Sequence, residues 1–261
     1  MCRWLAYSGA PAYLDDYLFK PANSLIAQSL RARRGGQVVT NGDGFGVGWY
    51  GDRIEPGVYR DLRPAWNDEN LRSLAEQIRT RLFFAHVRAS TGTAVSRSNC
   101  HPFRLGNWLF MHNGQIGGFD RVARELDFMI APELYRQRSG TTDSETLFLL
   151  MHTFGLAKDP VAAMRRTVAA VESCMRGHRI EAPLRLTCAL TDGQRVIALR
   201  HSSDGAAPSL FFGSTAGPGE DSHLILSEPL DEDVSHWSAV EEGMLLTLAE
   251  GKVVIAAFEP G

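Results

Sequence analysis

The pattern of apolar and polar positions divides the chain into three stretches. In the first, short runs rich in apolar and aromatic residues read as strands: Arg3–Ser8, Arg81–Arg88 (RLFFAHVR) and Asn107–His112 (NWLFMH). Asn41–Tyr50 alternates small with larger residues into another strand, and its glycines leave room for a second backbone or a ligand. Two helices are expected among these strands. One runs from about Ala22 to Arg33, with Pro21 in its first turn; the other is capped by Asn67 or Asp68 and runs to about Thr80.

In the middle stretch the period becomes helical. Thr142-Asp143-Ser144-Glu145 has the form of a capping box before the apolar Leu147–Met151. Asp159-Pro160 supplies a cap and a first-turn proline, after which Val161, Met164, Val168, Val171 and Met175 fall at helical spacing. From Leu184 onward the chain reads as nearly all strand: Leu184–Leu190, Val196–Arg200, Leu210–Phe212, Leu224–Ser227, Met244–Leu248 and Val253–Phe258. Strands, then long helices, then more strands predict an α+β fold of antiparallel sheets with helices packed outside, an order that a four-layer α-β-β-α sandwich satisfies.

No repeat, low-complexity tract or long linker divides the 261 residues, so residues 1–261 are expected to form a single domain with its own core. The net charge of −3 supplies no general basic field for nucleic acid or an anionic membrane. Three arginines within Arg31–Arg34 read as a solvated helix end. No apolar run approaches the ~18 residues of a membrane-spanning helix. The cysteines Cys2, Cys100, Cys174 and Cys188 show neither CxxC pairing nor metal-ligand spacing, and no secretory signal is visible, so a reducing cytoplasm is expected. No phosphate-cradling or zinc motif occurs, and neither a cofactor nor a metal is expected.

Four places can carry chemistry. Removal of Met1 would leave Cys2 with a thiol and a free α-amine on one residue; an amine with a pKa of about 7.7–8.0 can serve as a base at neutral pH. His112-Asn113-Gly114 is either a plain Asn-Gly turn or a pair of donors aimed at one oxyanion. Arg88, at a strand end followed by Ser90 and Thr91, is either an exposed arginine or a fork for a carboxylate. Asp143 either caps the helix that follows or binds a substrate ammonium. His86, His101 and His112 cluster in sequence and read as structural histidines, and Cys100 as a packed thiol.

Taken jointly, these residues resemble the class II glutamine amidotransferases, members of the N-terminal nucleophile (Ntn) hydrolases. The matching elements are Met1-Cys2, His86-Val87-Arg88-Ala89-Ser90-Thr91, Asn99-Cys100-His101-Pro102, His112-Asn113-Gly114 and Thr142-Asp143-Ser144-Glu145, with Ser227-Glu228-Pro229-Leu230 extending the likeness. The Asn41–Tyr50 and Pro64–Asn67 segments look typical of stand-alone γ-glutamyl amidases, including the ergothioneine-pathway and glutathione-degrading ones. The resemblance implies two mostly antiparallel sheets between helical layers. It implies Cys2 as nucleophile, Asn113 and Gly114 as oxyanion hole, Arg88 on the substrate α-carboxylate and Asp143 on its α-ammonium. Ser90, Thr91 and His112 complete the expected substrate-binding set.

The implied reaction is hydrolysis of a γ-glutamyl amide through a Cys2 thioester. Trp49, Tyr50, Arg63 and Trp66 are expected near the leaving amine. Two other readings stay open. One is a glutaminase subunit feeding ammonia to a separate synthase, or working inside an amidase complex; the other is a silent binding module on the same fold. No sequence feature decides the oligomeric state, and a homodimer stays open.

Overall fold

The computed structural model describes residues 2–31, 40–90, 94–213 and 222–261. Thirteen strands and seven α-helices follow one another in this part of the chain. The first sheet contains β1 (Arg3–Tyr13), β2 (Phe45–Trp49), β3 (Gly57–Asp61), β4 (Arg79–Val87), β9 (Phe211–Gly213), β10 (His223–Leu226) and β11 (Trp237–Ala239). Its order is β11-β9-β10-β1-β4-β2-β3. The second sheet contains β5 (Phe103–Leu105), β6 (Trp108–Ile116), β7 (Leu184–Thr191), β8 (Arg195–Ser202), β12 (Met244–Ala249) and β13 (Lys252–Ala257). Its order is β13-β12-β8-β7-β6-β5. All paired strands run antiparallel.

Three separate apolar cores show how the layers stack. Side chains alternate across a strand, so each sheet has two faces to cover. Trp4, Ala6, Leu82 and Phe84 of the first sheet pack against Leu109, Met111, Ala189, Ala198 and Leu246 of the second. The intervening Leu5, Tyr7, Phe83 and Ala85 point the other way, toward α1 (Asp15–Leu18), α2 (Leu25–Leu30) and α3 (Glu69–Gln77). On the far side, Phe110, Leu186, Cys188 and Leu199 meet α4 (Phe119–Met129), α6 (Asp143–Thr153) and α7 (Pro160–Gly177). Helix α5 (Pro132–Tyr135) links α4 to α6. This is the α-β-β-α sandwich that the sequence predicts.

The glycines of β2 let the sheets approach. A Cβ on Gly46 would lie 2.3 Å from the His101 carbonyl oxygen, and one on Gly48 would lie 2.9 Å from Leu109 and Pro102 side-chain atoms. What comes close to this strand is backbone and core rather than a ligand. Elsewhere the helix ends differ from expectation for local reasons. Helix α2 begins at Leu25 because the Ser24 hydroxyl accepts from Ala27 N, and it stops at Leu30. Residues 32–34 lie outside the described part. Asp68 caps α3 as expected, accepting from Leu71 N at 2.6 Å, but the helix ends at Gln77 because β4 already starts at Arg79.

Candidate active site

Three strand ends meet at one edge of the sandwich. Arg3 pairs with Val87, so the start of β1 lies beside the end of β4. Continuing the alternation of Trp4 and Phe84 places Cys2, His86 and Arg88 on the inter-sheet side, and the alternation of Leu109 and Met111 places Asn113 there from the opposite sheet. Between them opens a cavity of about 660 Å³ lined by Cys2, Arg88, Ser90, His112, Gly114 and Asp143, among others. Asn113 is buried at its margin, 3% exposed and not part of the lining. Thr91 lies outside the described residues.

Cys2 is half-buried and directly precedes β1. The Ala89 N–H donates to its Sγ at 3.5 Å, and Sγ also lies 3.5 Å from the Ala89 oxygen. Burial pushes its thiol up, opposed by the Ala89 N–H and the positive charges of Arg88 and Arg3. Behind it, Arg3 Nη1 donates to the Cys2 carbonyl at 3.0 Å, while Arg3 Nε pairs with buried Glu228 at 3.2 Å. Glu228 also accepts from Asn23, and Ser227 Oγ accepts from Trp4 N. The Ser227–Leu230 segment therefore anchors the residue that carries the thiol.

Arg88 is buried rather than an exposed strand-end arginine. Its Nη1 donates to Asp43 O, and its Nη2 donates to Ser90 Oγ and Ala94 O, each at 3.3 Å. The Asp43 carboxylate accepts from Ser90 N at 2.7 Å and so fixes the turn after Arg88.

The Asn-Gly pair makes no turn. β6 continues through it, with Asn113 opposite Thr187 and Gly114 opposite Leu186. Gly114 has φ +151°, and a Cβ there would sit 1.9 Å from the Arg185 oxygen, so a side chain is excluded. Its backbone faces the cavity.

Nor is Asp143 the helix cap. Thr142 takes that role, its hydroxyl accepting from Glu145 N. Asp143 accepts instead from Ile116 N, at the end of β6, and from Ser144 N, both at 2.8 Å. Glu145 departs from the capping-box pattern: its carboxylate accepts from Ser139 N and Gly140 N, tying down the loop before α6.

The histidines are structural in their surroundings. His112 Nε2 donates to Arg185 O at 3.2 Å, which leaves Nδ1 to accept from the Ser144 hydroxyl at 2.9 Å. His86 stacks on His101 with centroids 4.3 Å apart and donates to His112 O. Burial pulls all three below the usual histidine value, His86 to about 3, so they are neutral. Cys100 is a packed thiol, directed at Asp61 O and Ser96 O. Among the described residues, the donor cluster compact enough for a cation lies elsewhere, at Glu125, Cys174 and His178.

Trp49, Tyr50, Arg63 and Trp66 do not line the cavity. Trp49 and Trp66 pack on the α1–α3 side, Arg63 is exposed, and Tyr50 OH donates to Asn107 O. Sequence reasoning missed Asp43 and Glu228 as supports, although both lie inside segments it singled out, and it missed Arg138, which lines the cavity.

Residues 20–207 match the profile of "Glutamine amidotransferases class-II". The chain belongs to this family. Curated relatives match along almost the whole chain. The probable glutamine amidotransferase DUG3 of Saccharomyces cerevisiae is 36% identical over 98% of this chain and 84% of its own length. A γ-glutamyl-hercynylcysteine sulfoxide hydrolase of Mycolicibacterium smegmatis is 29% identical over 98% and 99%. Among solved structures, a glutamine aminotransferase class-II domain protein from Silicibacter pomeroyi superposes with a TM-score of 0.78 at 38% identity, covering 99% of this chain and 100% of that one. The PRPP amidotransferase of B. subtilis shares the fold at 15% identity and TM-score 0.68, this chain matching 50% of it. Among the described residues, no helix is long and apolar enough to cross a membrane.

Proposed function

We propose that this class-II chain hydrolyses γ-glutamyl amide bonds, using Cys2 as an N-terminal nucleophile after loss of Met1. The observation that carries the reading is one cavity lined by a thiol, a buried arginine and a backbone-held carboxylate. A γ-glutamyl group presents a scissile carbonyl, an α-carboxylate and an α-ammonium. Cys2, Arg88 and Asp143 complement them in turn, the arginine with charge-assisted hydrogen bonds. Ser90, held by Asp43 and Arg88, flanks the carboxylate, and His112 keeps the Asp143–Ser144 turn in place.

The α-amine of Cys2 takes the thiol proton, and the sulfur attacks the γ-carbonyl. The developing oxyanion lies between Gly114 N–H and the Asn113 amide. The C–N bond breaks as the ammonium returns its proton to the leaving amine, giving a γ-glutamyl thioester. Water then adds to the thioester, releasing glutamate and the thiol. A reducing, cytoplasmic setting keeps the four cysteines as free thiols. Full-length similarity to a γ-glutamyl hydrolase favours this reading over an ammonia-delivering subunit of a synthase or of an amidase complex.

A glutamine-like diazo-ketone tests the nucleophile. Intact mass should show loss of Met1, and peptide mapping should show one label, on Cys2. Label on Cys100, Cys174 or Cys188, or full activity with Met1 retained, overturns the proposal.

A further inference from the structure

Away from the Cys2 cavity, two helices bring three side chains of ligand type together. Glu125, Cys174 and His178 each offer one ligand atom, and these atoms all lie within 4.8 Å of one another. Cys174 sits in the last turn of α7 and His178 closes that helix one turn later, so both side chains leave the same face. Glu125 comes from α4, whose Val122 and Leu126 share a core with Val171 and Met175 of α7. Arg121, also on α4, donates to His178 O at 2.8 Å and holds the end of α7 in place.

The three groups already touch through protons. His178 Nε2 donates to Glu125 Oε2 at 2.7 Å, and the Cys174 thiol is hydrogen-bonded to the same carboxylate. Burial and that carboxylate push the thiol up to about 11, so it carries its proton at neutral pH. Cys174 is 3% exposed, whereas the His178 and Glu125 side chains are 38% and 51% exposed. The cluster is thus sealed on the sulfur side and open to solvent on the other.

A thiolate, an imidazole nitrogen and a carboxylate oxygen are the ligand types of Zn²⁺, whereas Mg²⁺ and Ca²⁺ take oxygen. With metal–ligand bonds of about 2.0–2.3 Å, tetrahedral ligands stand roughly 3.3–3.8 Å apart, a size that rotation of the two exposed side chains reaches. Thiolate and carboxylate together carry two negative charges, which one Zn²⁺ cancels.

We propose that Glu125, Cys174 and His178 form a zinc site that clasps α4 to α7, with water in the fourth position. On binding, the thiol releases its proton to solvent and His178 Nε2 gives up its own to face the ion. The clasp holds the helix whose first turns, at Phe119, Asp120 and Ala123, wall the Cys2 cavity. The site stands apart from the γ-glutamyl reading and does not depend on it.

Zn²⁺ and Co²⁺ alone are the probes, added to the Cys2→Ala protein so that no terminal thiol and amine compete. One equivalent should bind. Zinc should raise the melting temperature, and cobalt should give the intense visible bands of a tetrahedral site with thiolate-to-metal charge transfer. Cys174→Ser should remove the charge-transfer band. His178→Ala, at a partly exposed position where the fold tolerates truncation, should weaken zinc binding by at least about 100-fold, since loss of a supporting group alone costs about 10–100-fold. No stoichiometric uptake, a cobalt spectrum without thiolate bands, or uptake undiminished in both variants overturns the site and leaves the amidase reading standing.

Discussion

Glu228, behind Cys2, and Asp143, on the cavity wall, are both carboxylates, yet their surroundings differ. Glu228 is 2% exposed, and its oxygens face side-chain donors, Arg3 on one and Asn23 on the other. Asp143 is half-buried, held mainly by two backbone N–H groups, and it borders the open cavity. A carboxylate matched to a buried cation has its charge neutralised within the fold. One positioned by backbone amides keeps its charge and spare lone pairs for a ligand. Oriented charge with no cation beside it is the mark of a binding group.

Substitutions can break or sharpen this contrast. The largest effect is expected from Cys2→Ala, which should abolish glutamate release while leaving the melting temperature near wild type, since it touches neither carboxylate. Glu228→Gln should act on stability. Leaving Arg3 buried and uncompensated costs about 3–5 kcal/mol, measurable by denaturant unfolding. On the proposed mechanism Asn113→Ala should remove an oxyanion donor and raise the barrier by about 2.7–4 kcal/mol, read as a fall of about 10²–10³ in kcat. Asp143→Asn should lower kcat/KM by the worth of one charged contact, about 1.5–3 kcal/mol, with little change in unfolding midpoint. If Asp143→Asn instead destabilised the protein as much as Glu228→Gln, the contrast between the two carboxylates would fail.

A further effect is acid sensitivity. Burial lowers His86 to about 3 and His152 to about 4, against 6.5 for a free histidine. Below about pH 6.5 the unfolded chain takes up protons that the folded chain refuses. Stability is therefore retained above that pH and lost as it falls toward 4, by up to about 1.4 kcal/mol per pH unit for each such histidine. Urea midpoints at pH 7 and pH 5 measure this.

Strands were the most legible part of the fold, because apolar runs survive whatever packs on them. Helix α4 was not anticipated: its N-cap is Gly118, with no side-chain cap, and only Val122 and Leu126 along it are buried. Edge strand β3 was missed because all its residues are half-buried and only Val58 and Tyr59 of it carry an apolar signal. The site was legible where a residue type is constrained by backbone, as at Gly114, or stands in a capping pattern, as at Asp143. The alternation rule alone could have rejected the Asn-Gly turn only once β7 was known to pair across it. Arg138 was invisible for a simpler reason. It is one arginine among many, and only the distant Asp127 and the α4 wall give it a direction.

The strand that follows Cys2 is hemmed in on both sides, by β4 and by β10. Its second neighbour, residues 223–226, is translated more than two hundred positions after it. On the ribosome, the segment bearing the thiol must wait, half-paired, until nearly all of the polypeptide has emerged. The setting of the thiol is thus completed late in synthesis, and a nascent fragment truncated before that neighbour lacks both the second flank of this strand and the Glu228 partner of Arg3.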